Sequence, residues 1–283
     1  HRNCAKFLAT TQLVSNVDGK RVAESNEKHK HQYKAALSAI LLQHMVEHQL
    51  IKHPYIVDRI PDEQDLNIME QKRRAGEEIY NAYREEVQLP LIVAALLQDA
   101  GNFHPDAQKI LKGKNGKLSP FRVLGKEERI ELLKINYRET LRYVCNAVGQ
   151  YKYIGNSKAE RDIFNEIERQ KLKFIRTLLK KWVNPQKGIG NLLKIPQIYA
   201  SVVLSTKESF DFKQVPKVET LLRSGVERKL HNGDYVESLL AITGKFPMGY
   251  GIVYIPKDMD NKDADRFEYA VVNTLYPEKY QYP

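Results

Sequence analysis

Apolar residues recur at intervals of three and four along most of this chain, which is the spacing of helices with one buried face. Residues 32–50 are predicted to form an amphipathic helix that ends before His53-Pro54. A second helix is predicted over 62–87 and a third over 89–100. The third carries no charge before Asp99, so we expect it to be buried on nearly all sides.

The second half of the chain continues the helical pattern and ends in β-rich sequence. Further helices are predicted over 127–148, 157–182, 195–204, 217–224 and 235–243. A short strand is predicted over 6–14, followed by a polar turn at 16–19. Segments 252–255 and 267–275 flank a polar turn at 257–265 and predict a small hairpin. The fold class expected is therefore mainly α, a helical bundle with an N-terminal accessory segment and a small C-terminal β-hairpin.

Composition narrows the class of protein. The chain has 283 residues, of which 42% are hydrophobic, enough to bury one large or two modest cores. Cys4 and Cys145 lie far apart, which argues against a disulfide framework or a thiolate zinc site. We see no signal peptide and no apolar run approaching the roughly 20 residues of a membrane-spanning helix, so we expect a cytoplasmic protein without a membrane span.

The net charge of +10 favours acidic partners, but its distribution weakens that argument. Lysines and arginines alternate with glutamates along the predicted helices, as in Lys126-Glu127-Glu128-Arg129, and such mixing is typical of solvated helix faces. A nucleic-acid-binding protein would need its arginines clustered on one exposed face. We therefore expect no nucleic-acid partner, and keep a basic helical nucleic-acid binder as an alternative.

The order of signals from residue 97 onwards resembles the HD-GYP family, cyclic di-GMP phosphodiesterases within the HD superfamily. Where that family has His-Asp-Ile-Gly at the end of an apolar helix, this chain has Gln98-Asp99-Ala100-Gly101. The family's next signals, a proline, an Ile-Leu pair and a Gly-Lys-Leu, are matched here by Pro105, Ile110-Leu111 and Gly116-Lys117-Leu118. Residues 243–249, Thr-Gly-Lys-Phe-Pro-Met-Gly, are similar to the Gly-x-Tyr-Pro-x-Gly ending of the family. The resemblance covers roughly residues 60 to 255 and implies an HD-domain helical bundle.

The resemblance also implies that the metal site is degenerate. Asp99 alone matches a metal ligand, whereas Gln98 and Asn136 stand where the family has histidines. We find no counterpart of the first histidine near residues 69–72, and the final aspartate falls near Ser205 or Thr206. A carboxylate and two amides do not hold a hard dication. Gln98, Asp99 and Asn136 are therefore interpreted as remnants, with helix capping as an alternative role for Asp99.

Three histidines outside this motif are alternative metal ligands. His44 and His48 stand four residues apart and are predicted to share one helix face, which is the spacing of helical metal sites. His104 follows the remnant motif and could be a displaced ligand. Two ligands without a third do not define a catalytic metal, so an ordinary structural role is the competing interpretation of the pair. Lys187 and Lys194, around the two glycines left of the family's signature loop, are candidate phosphate contacts.

These patterns lead to one hypothesis and two alternatives. The protein is interpreted as a catalytically inactive HD-GYP-like signalling protein without a cofactor, acting through a protein partner or a nucleotide such as cyclic di-GMP. The groove that forms the active site in that family is expected to be filled here by Leu178 and Leu179. The alternatives are a metal-dependent phosphodiesterase with a rearranged site, built from His44, His48, Asp99 and His104, and the nucleic-acid binder. Three segments are predicted: an accessory segment and helix (1–60), an HD-GYP-like domain (61–248) and a β extension (249–283).

Overall fold

The computed structural model of the protein describes residues 2–13, 19–77, 79–185, 188–258, 260 and 262–278. Within these ranges the chain is mainly helical and ends in a two-stranded antiparallel hairpin, which confirms the predicted fold class. The α-helices are α1 Arg2–Leu13, α2 Gly19–Glu47, α3 Pro54–Val57, α4 Glu63–Arg74, α5 Leu89–Leu97, α6 Pro105–Lys112, α7 Lys126–Asn146, α8 Lys158–Lys181, α9 Asn191–Val203, α10 Val218–Glu227 and α11 Gly233–Thr243. A π-helical turn over Tyr83–Gln88 leads into α5, and 3-10 turns cover Ala100–Phe103 and Phe212–Lys217.

Helix α2 lies at the centre of the bundle. It packs against α5 and α9 over much of its length and also contacts α1 and α11. Its buried face includes Tyr33, Leu37, Leu41 and Met45, whose spacing of four residues keeps them on one side of a helix. These side chains belong to the same hydrophobic cluster as residues of α8, α9 and α11. The predicted boundary at residue 60 therefore crosses a shared core.

The helix starts follow local chemistry that the sequence makes visible. Asp62 and Asp65 form a reciprocal capping box at the start of α4. The hydroxyl of Ser157 accepts a hydrogen bond from the backbone N–H of Glu160, which places the start of α8 where the sequence predicts it. Asn232 caps α11 in the same way through the N–H of Asp234.

Three predictions of secondary structure in the first hundred residues were wrong. The strand predicted over 6–14 is helix α1 as far as Leu13, and the turn predicted at 16–19 lies largely outside the described residues. The helix predicted over 62–87 ends at Arg74, because Gly76 adopts a φ of +75° and breaks it. Helix α2 begins at Gly19, earlier than predicted, since the charged run before Gln32 continues the same helix.

Helix α5 is less enclosed than its composition predicts. Pro90, Leu91, Ala94 and Ala95 are buried against the bundle. On the other face the side chains Leu89, Val93 and Leu96 are 36–40% exposed. The expectation that α5 is buried on nearly all sides was therefore wrong, because α2 and α8 cover only one side of it.

The C-terminal hairpin agrees with the prediction. Strands β1 Gly251–Tyr254 and β2 Glu268–Val271 pair antiparallel, with Ile252 opposite Ala270. Beyond the strands Lys257 and Asp263 form an isolated bridge across the turn. No helix in the described part of the chain is long and apolar enough to span a membrane.

Candidate functional site

The motif Gln98-Asp99-Ala100-Gly101 lies where the end of α5 meets α7. After Gln98 the chain turns through the 3-10 segment Ala100–Phe103, which packs closely on α7. The backbone N–H of Gly101 donates to the hydroxyl of Thr140 at 2.9 Å. A Cβ at Gly101 would lie 2.2 Å from the carbonyl oxygen of Asn136, so only glycine permits this approach. The glycine of the motif thus holds the end of α5 against Asn136.

A buried lysine pairs with the aspartate of the motif. The ammonium of Lys34, from the middle of α2, donates a short hydrogen bond to Oδ2 of Asp99. The side chain of Lys34 is 1% exposed and that of Asp99 is 14% exposed. The imidazole Nδ1 of His31, one turn earlier on α2, lies 3.8 Å from the same carboxylate oxygen. Asp99 is therefore the counter-ion of a lysine, and its side chain does not cap the following turn.

Two side-chain amides donate hydrogen bonds to the other carboxylate oxygen of Asp99. Oδ1 of Asp99 accepts a hydrogen bond from Nδ2 of Asn136 at 3.3 Å. It also accepts one from Nε2 of Gln197, on α9, at 3.4 Å. Both oxygens of the carboxylate are thus engaged by N–H donors from three helices.

The electrostatics follow from this arrangement. Burial by itself would raise the pKa of Asp99, but the charges of Lys34 and Lys30 and the hydrogen bond from Lys34 bring it well below its usual range. Burial lowers the pKa of Lys34, and the charge of Asp99 opposes that effect. The carboxylate is therefore ionised at neutral pH and forms an ion pair with the ammonium.

Gln98 is completely buried, and its side chain makes no hydrogen bond within the part of the chain that the structure describes. Its exposed fraction is 0%, and neither its amide nitrogen nor its amide oxygen has a hydrogen-bond partner. Its backbone carbonyl lies 3.4 Å from the hydroxyl of Thr140 and 3.5 Å from Nδ2 of Asn136. A buried amide with no partners costs free energy, so Gln98 contributes neither a ligand nor stability here.

A cavity of about 400 Å³ opens beside Asp99. We call it the Asp99 cavity, and its described lining residues come from α2, the segment after α5, α6, the loop before α7, α7 itself, α9 and the loop after α9. They are Glu27, Lys30, His31, Asp99, Asn102, Phe103, Gln108, Leu111, Lys112, Pro120, Phe121, Leu132, Leu133, Asn136, Gln197, Ser201, Thr206 and Lys207.

The groove is not filled by α8 as expected. Leu178 and Leu179 are fully buried in the hydrophobic core and are not among the lining residues. Helix α8 packs against α5 and α9, so these leucines belong to the core that supports the site. Of the two positions proposed for the final aspartate, Thr206 lines the cavity, whereas the contact with Asp99 comes from Gln197.

The residues around Asp99 do not suit a divalent metal. Lys34 already supplies a positive charge to the carboxylate, and a bound cation would have to displace it. Asn136 and Gln197 present their N–H groups to Asp99, which is the wrong polarity for a metal ligand. No group of three or more His, Cys, Asp or Glu side chains that could hold a metal occurs in the described ranges.

His44 and His48 lie together but away from Asp99. Their rings stack with centroids 4.0 Å apart, and Nδ1 of His48 is 2.8 Å from the carbonyl oxygen of His44. His44 also stacks on Tyr276, with centroids 5.7 Å apart. Ten residues separate His44 from Lys34 on the same helix, a distance of about 15 Å at 1.5 Å per residue. The pair therefore shares no site with Asp99.

His104 caps the start of α6. Its Nδ1 accepts a hydrogen bond from the backbone N–H of Asp106 at 3.3 Å, and its Nε2 lies 3.8 Å from a carboxylate oxygen of Glu139. It is not among the lining residues of the Asp99 cavity. The structure thus does not assemble the rearranged site proposed from His44, His48, Asp99 and His104.

Of the two predicted phosphate contacts, the structure places only Lys194, and it lies outside the cavity. Lys187 lies outside the described residues. Lys194, on α9, holds its ammonium 5.0 Å from the centre of the Trp182 ring and is not a lining residue. A Cβ at Gly190 would lie 2.2 Å from the carbonyl oxygen of Lys181, so this glycine serves the tight turn after α8.

Sequence reasoning missed the contribution of α2. Lys34, His31 and Lys30 precede the apolar run, and Gln197 lies inside another apolar segment. The signal was present for Lys34, which precedes Leu37 and Leu41 by three and seven residues and so lies on the buried stripe. A lysine at such a position needs a buried acidic partner. By contrast, α4, where the missing histidine was sought, has no buried residue.

Comparisons with protein-family models, with curated proteins and with solved structures found no match to this chain. The interpretation of the site therefore depends on the geometry described above.

Proposed function

We propose that this protein is a catalytically inactive HD-GYP-like signalling protein that works by binding a protein or a nucleotide. The observation that carries the proposal is the contact between Lys34 and Asp99. A buried ammonium neutralises the one carboxylate that would be needed to hold a metal, and the neighbouring side chains are amides. Without a metal to activate water, hydrolysis of a phosphodiester by the mechanism of that family has no nucleophile.

The Asp99 cavity supports a binding role. Its volume of about 400 Å³ lies within the range of roughly 300–1,000 Å³ typical of small-molecule sites. Its lining combines apolar side chains with several converging polar groups, which is the usual composition of a ligand site. A nucleotide is the ligand class that the resemblance and the basic character of the chain favour.

The first test is the metal content of the purified protein. The protein is loaded with iron, manganese and zinc, freed of excess metal and measured by elemental analysis, and cyclic di-GMP hydrolysis is assayed on the same sample. We expect less than about a tenth of an equivalent of bound metal and no hydrolysis, because a metal bound at Asp99 would break its ion pair with Lys34. One or two equivalents, lost on Asp99→Ala substitution and accompanied by hydrolysis, would establish the metal-dependent phosphodiesterase instead.

A further inference from the structure

The lining of the Asp99 cavity carries an excess of positive charge. Among its described residues, Lys30, Lys112 and Lys207 supply ammonium groups, whereas Glu27 and Asp99 supply carboxylates. The carboxylate of Asp99 is already neutralised by Lys34. Three ammonium groups therefore share a single carboxylate that is not already paired, and that residue, Glu27, is exposed.

None of these lysines forms an ion pair with an acidic side chain among the described residues, and two of them, Lys30 and Lys207, are half-buried. Lys30 is half-buried, and its side chain has no hydrogen-bond or ion-pair partner among the described residues. Among the described residues, the ammonium of Lys207 donates only to the backbone carbonyl of Arg122, at 3.1 Å. The guanidinium of Arg122 is itself held by Glu128.

The positive charges act on one another across the cavity. Burial lowers the pKa of Lys207, and the charges on Lys30, Arg129 and Arg122 lower it further, opposed only by Glu27. The charge on Lys30 also acts to lower the pKa values of Lys34 and His31. Cations crowded in this way repel one another, and an anion bound between them would relieve the repulsion.

The remaining wall of the cavity suits a flat ring. Phe103 and Phe121 contribute aromatic side chains, and that of Phe103 is 76% exposed. Leu132 and Leu133 from α7 add apolar surface beside them. An aromatic face accepts a nucleobase by stacking without regard to its hydrogen-bonding pattern.

We propose that the Asp99 cavity binds a small molecule carrying a terminal phosphate and a planar ring, such as a nucleoside monophosphate, with Lys30 and Lys207 contacting the phosphate directly. This inference rests on the proposed function, because it assigns the ligand of the same cavity. A terminal phosphate near neutral pH carries up to two negative charges, which matches the two half-buried ammonium groups without acidic partners. Lysines contact phosphates as compact point charges and need no bridging metal.

The test is isothermal titration calorimetry of the full chain with AMP and GMP, in metal-free buffer of fixed ionic strength. Adenosine and guanosine serve as probes without phosphate, and cyclic di-GMP as a probe without a terminal phosphate. The variants are Lys30→Met and Lys207→Met, which remove the charge and keep most of the side-chain length. Lys134→Met is the matched control, because Lys134 is exposed on α7 and is not a lining residue.

We expect AMP or GMP to bind with a Kd below about 1 mM. The unaltered protein should bind the nucleosides at least about tenfold more weakly than the nucleotides. Each of the two cavity variants should bind the nucleotides at least about tenfold more weakly than the unaltered protein does, whereas Lys134→Met should bind them equally well. Equal binding of nucleoside and nucleotide would overturn the inference, and so would an equal loss in Lys134→Met, which would mark non-specific attraction. Saturation by cyclic di-GMP alone would refute the terminal phosphate and still support the proposed function. Metal content, measured separately, tests the catalytic inactivity that the proposed function requires, whatever the titrations give.

Discussion

At the scale of single residues, the site is defined by the kinds of group that face Asp99. Its carboxylate oxygens accept hydrogen bonds from the ammonium of Lys34 and from the amides of Asn136 and Gln197. Each of these groups offers a proton where a metal site would offer a lone pair. The sequence placed Asp99 and Asn136 at the site and missed Lys34 and Gln197, because its patterns show helix faces and do not show which faces meet.

Replacing Lys34 tests this pairing. Lys34→Met leaves the carboxylate of Asp99 without its counter-ion in a site that is largely closed to water, and we expect a loss of about 3 kcal/mol in the free energy of unfolding. Urea denaturation monitored by circular dichroism measures this loss of stability.

The double variant Lys34→Met/Asp99→Leu should recover most of that loss, because neither charge is then left unpaired. Lys30→Met is the control, since the side chain of Lys30 makes no hydrogen bond or ion pair with the other described residues. If Lys34→Met were as stable as the unaltered protein, the ion pair would be unimportant to the stability of the fold.

Replacing Gln98 should increase the stability of the protein. Gln98→Met keeps a side chain of similar length and removes two buried amide atoms that have no partners, so we expect a gain of about 1–3 kcal/mol in the free energy of unfolding. Thermal and urea denaturation both measure the change.

Gln88→Met is the matched control for that substitution. The amide of Gln88 donates to the side chain of Gln43 at 3.1 Å, so its loss should give no gain. Destabilisation by Gln98→Met would mean that the amide has partners in solution, and would reopen a polar role for this position.

At the scale of helices and turns, the approach of the α5 end to α7 decides the geometry of the site. The contact of Gly101 with Asn136 and Thr140 brings the Asn136 amide within reach of Asp99. Local signals predicted α7 and α8 to within a few residues, since capping and amphipathic spacing are properties of neighbouring residues. They were wrong for α1 and for the helix predicted over 62–87, where short apolar stretches fit more than one structure.

Gly101→Ala tests the close approach. The added Cβ would meet the carbonyl oxygen of Asn136 at 2.2 Å, so α7 would have to move, and we expect a loss of about 1–3 kcal/mol in stability. The hydrogen bond from Asn136 to Asp99 should weaken at the same time, which amide hydrogen exchange and side-chain NMR can follow.

Gly149→Ala is the matched control, because a Cβ there meets nothing within 4 Å. If both substitutions had the same small effect, the contact between Gly101 and α7 would not be tight in solution.

At the scale of the whole molecule, the N-terminal helices are part of the main core. Helix α2 supplies both the buried stripe around Leu37 and Leu41 and the lysine that pairs with Asp99. The segment predicted as an accessory to an HD-like domain thus completes both the core and the site.

A fragment covering residues 61–283 should fail to fold cooperatively. It lacks the buried large side chains of α2, each worth about 1.5–3 kcal/mol, and their sum exceeds the roughly 5–15 kcal/mol by which domains are usually stable. Thermal melting followed by circular dichroism distinguishes a cooperative transition from its absence.

The same melting experiment on a fragment covering residues 1–248 is the control. Among the described core residues it loses only Val272, so it should keep a cooperative transition. A cooperative transition in 61–283 would show that residues 61–283 form an independent domain, as the boundary at residue 60 predicted.

The sequence by itself determined the mainly helical class, most helices after residue 89 and the C-terminal hairpin. These follow from spacing, capping and residue type, which act over a few neighbouring positions. Tertiary structure decided that Lys34 pairs with Asp99, that His44, His48 and His104 lie apart from it, and that a basic cavity remains beside it. Such facts depend on which faces of distant helices meet, and burial then fixes the charge and hydrogen-bond partners of each group.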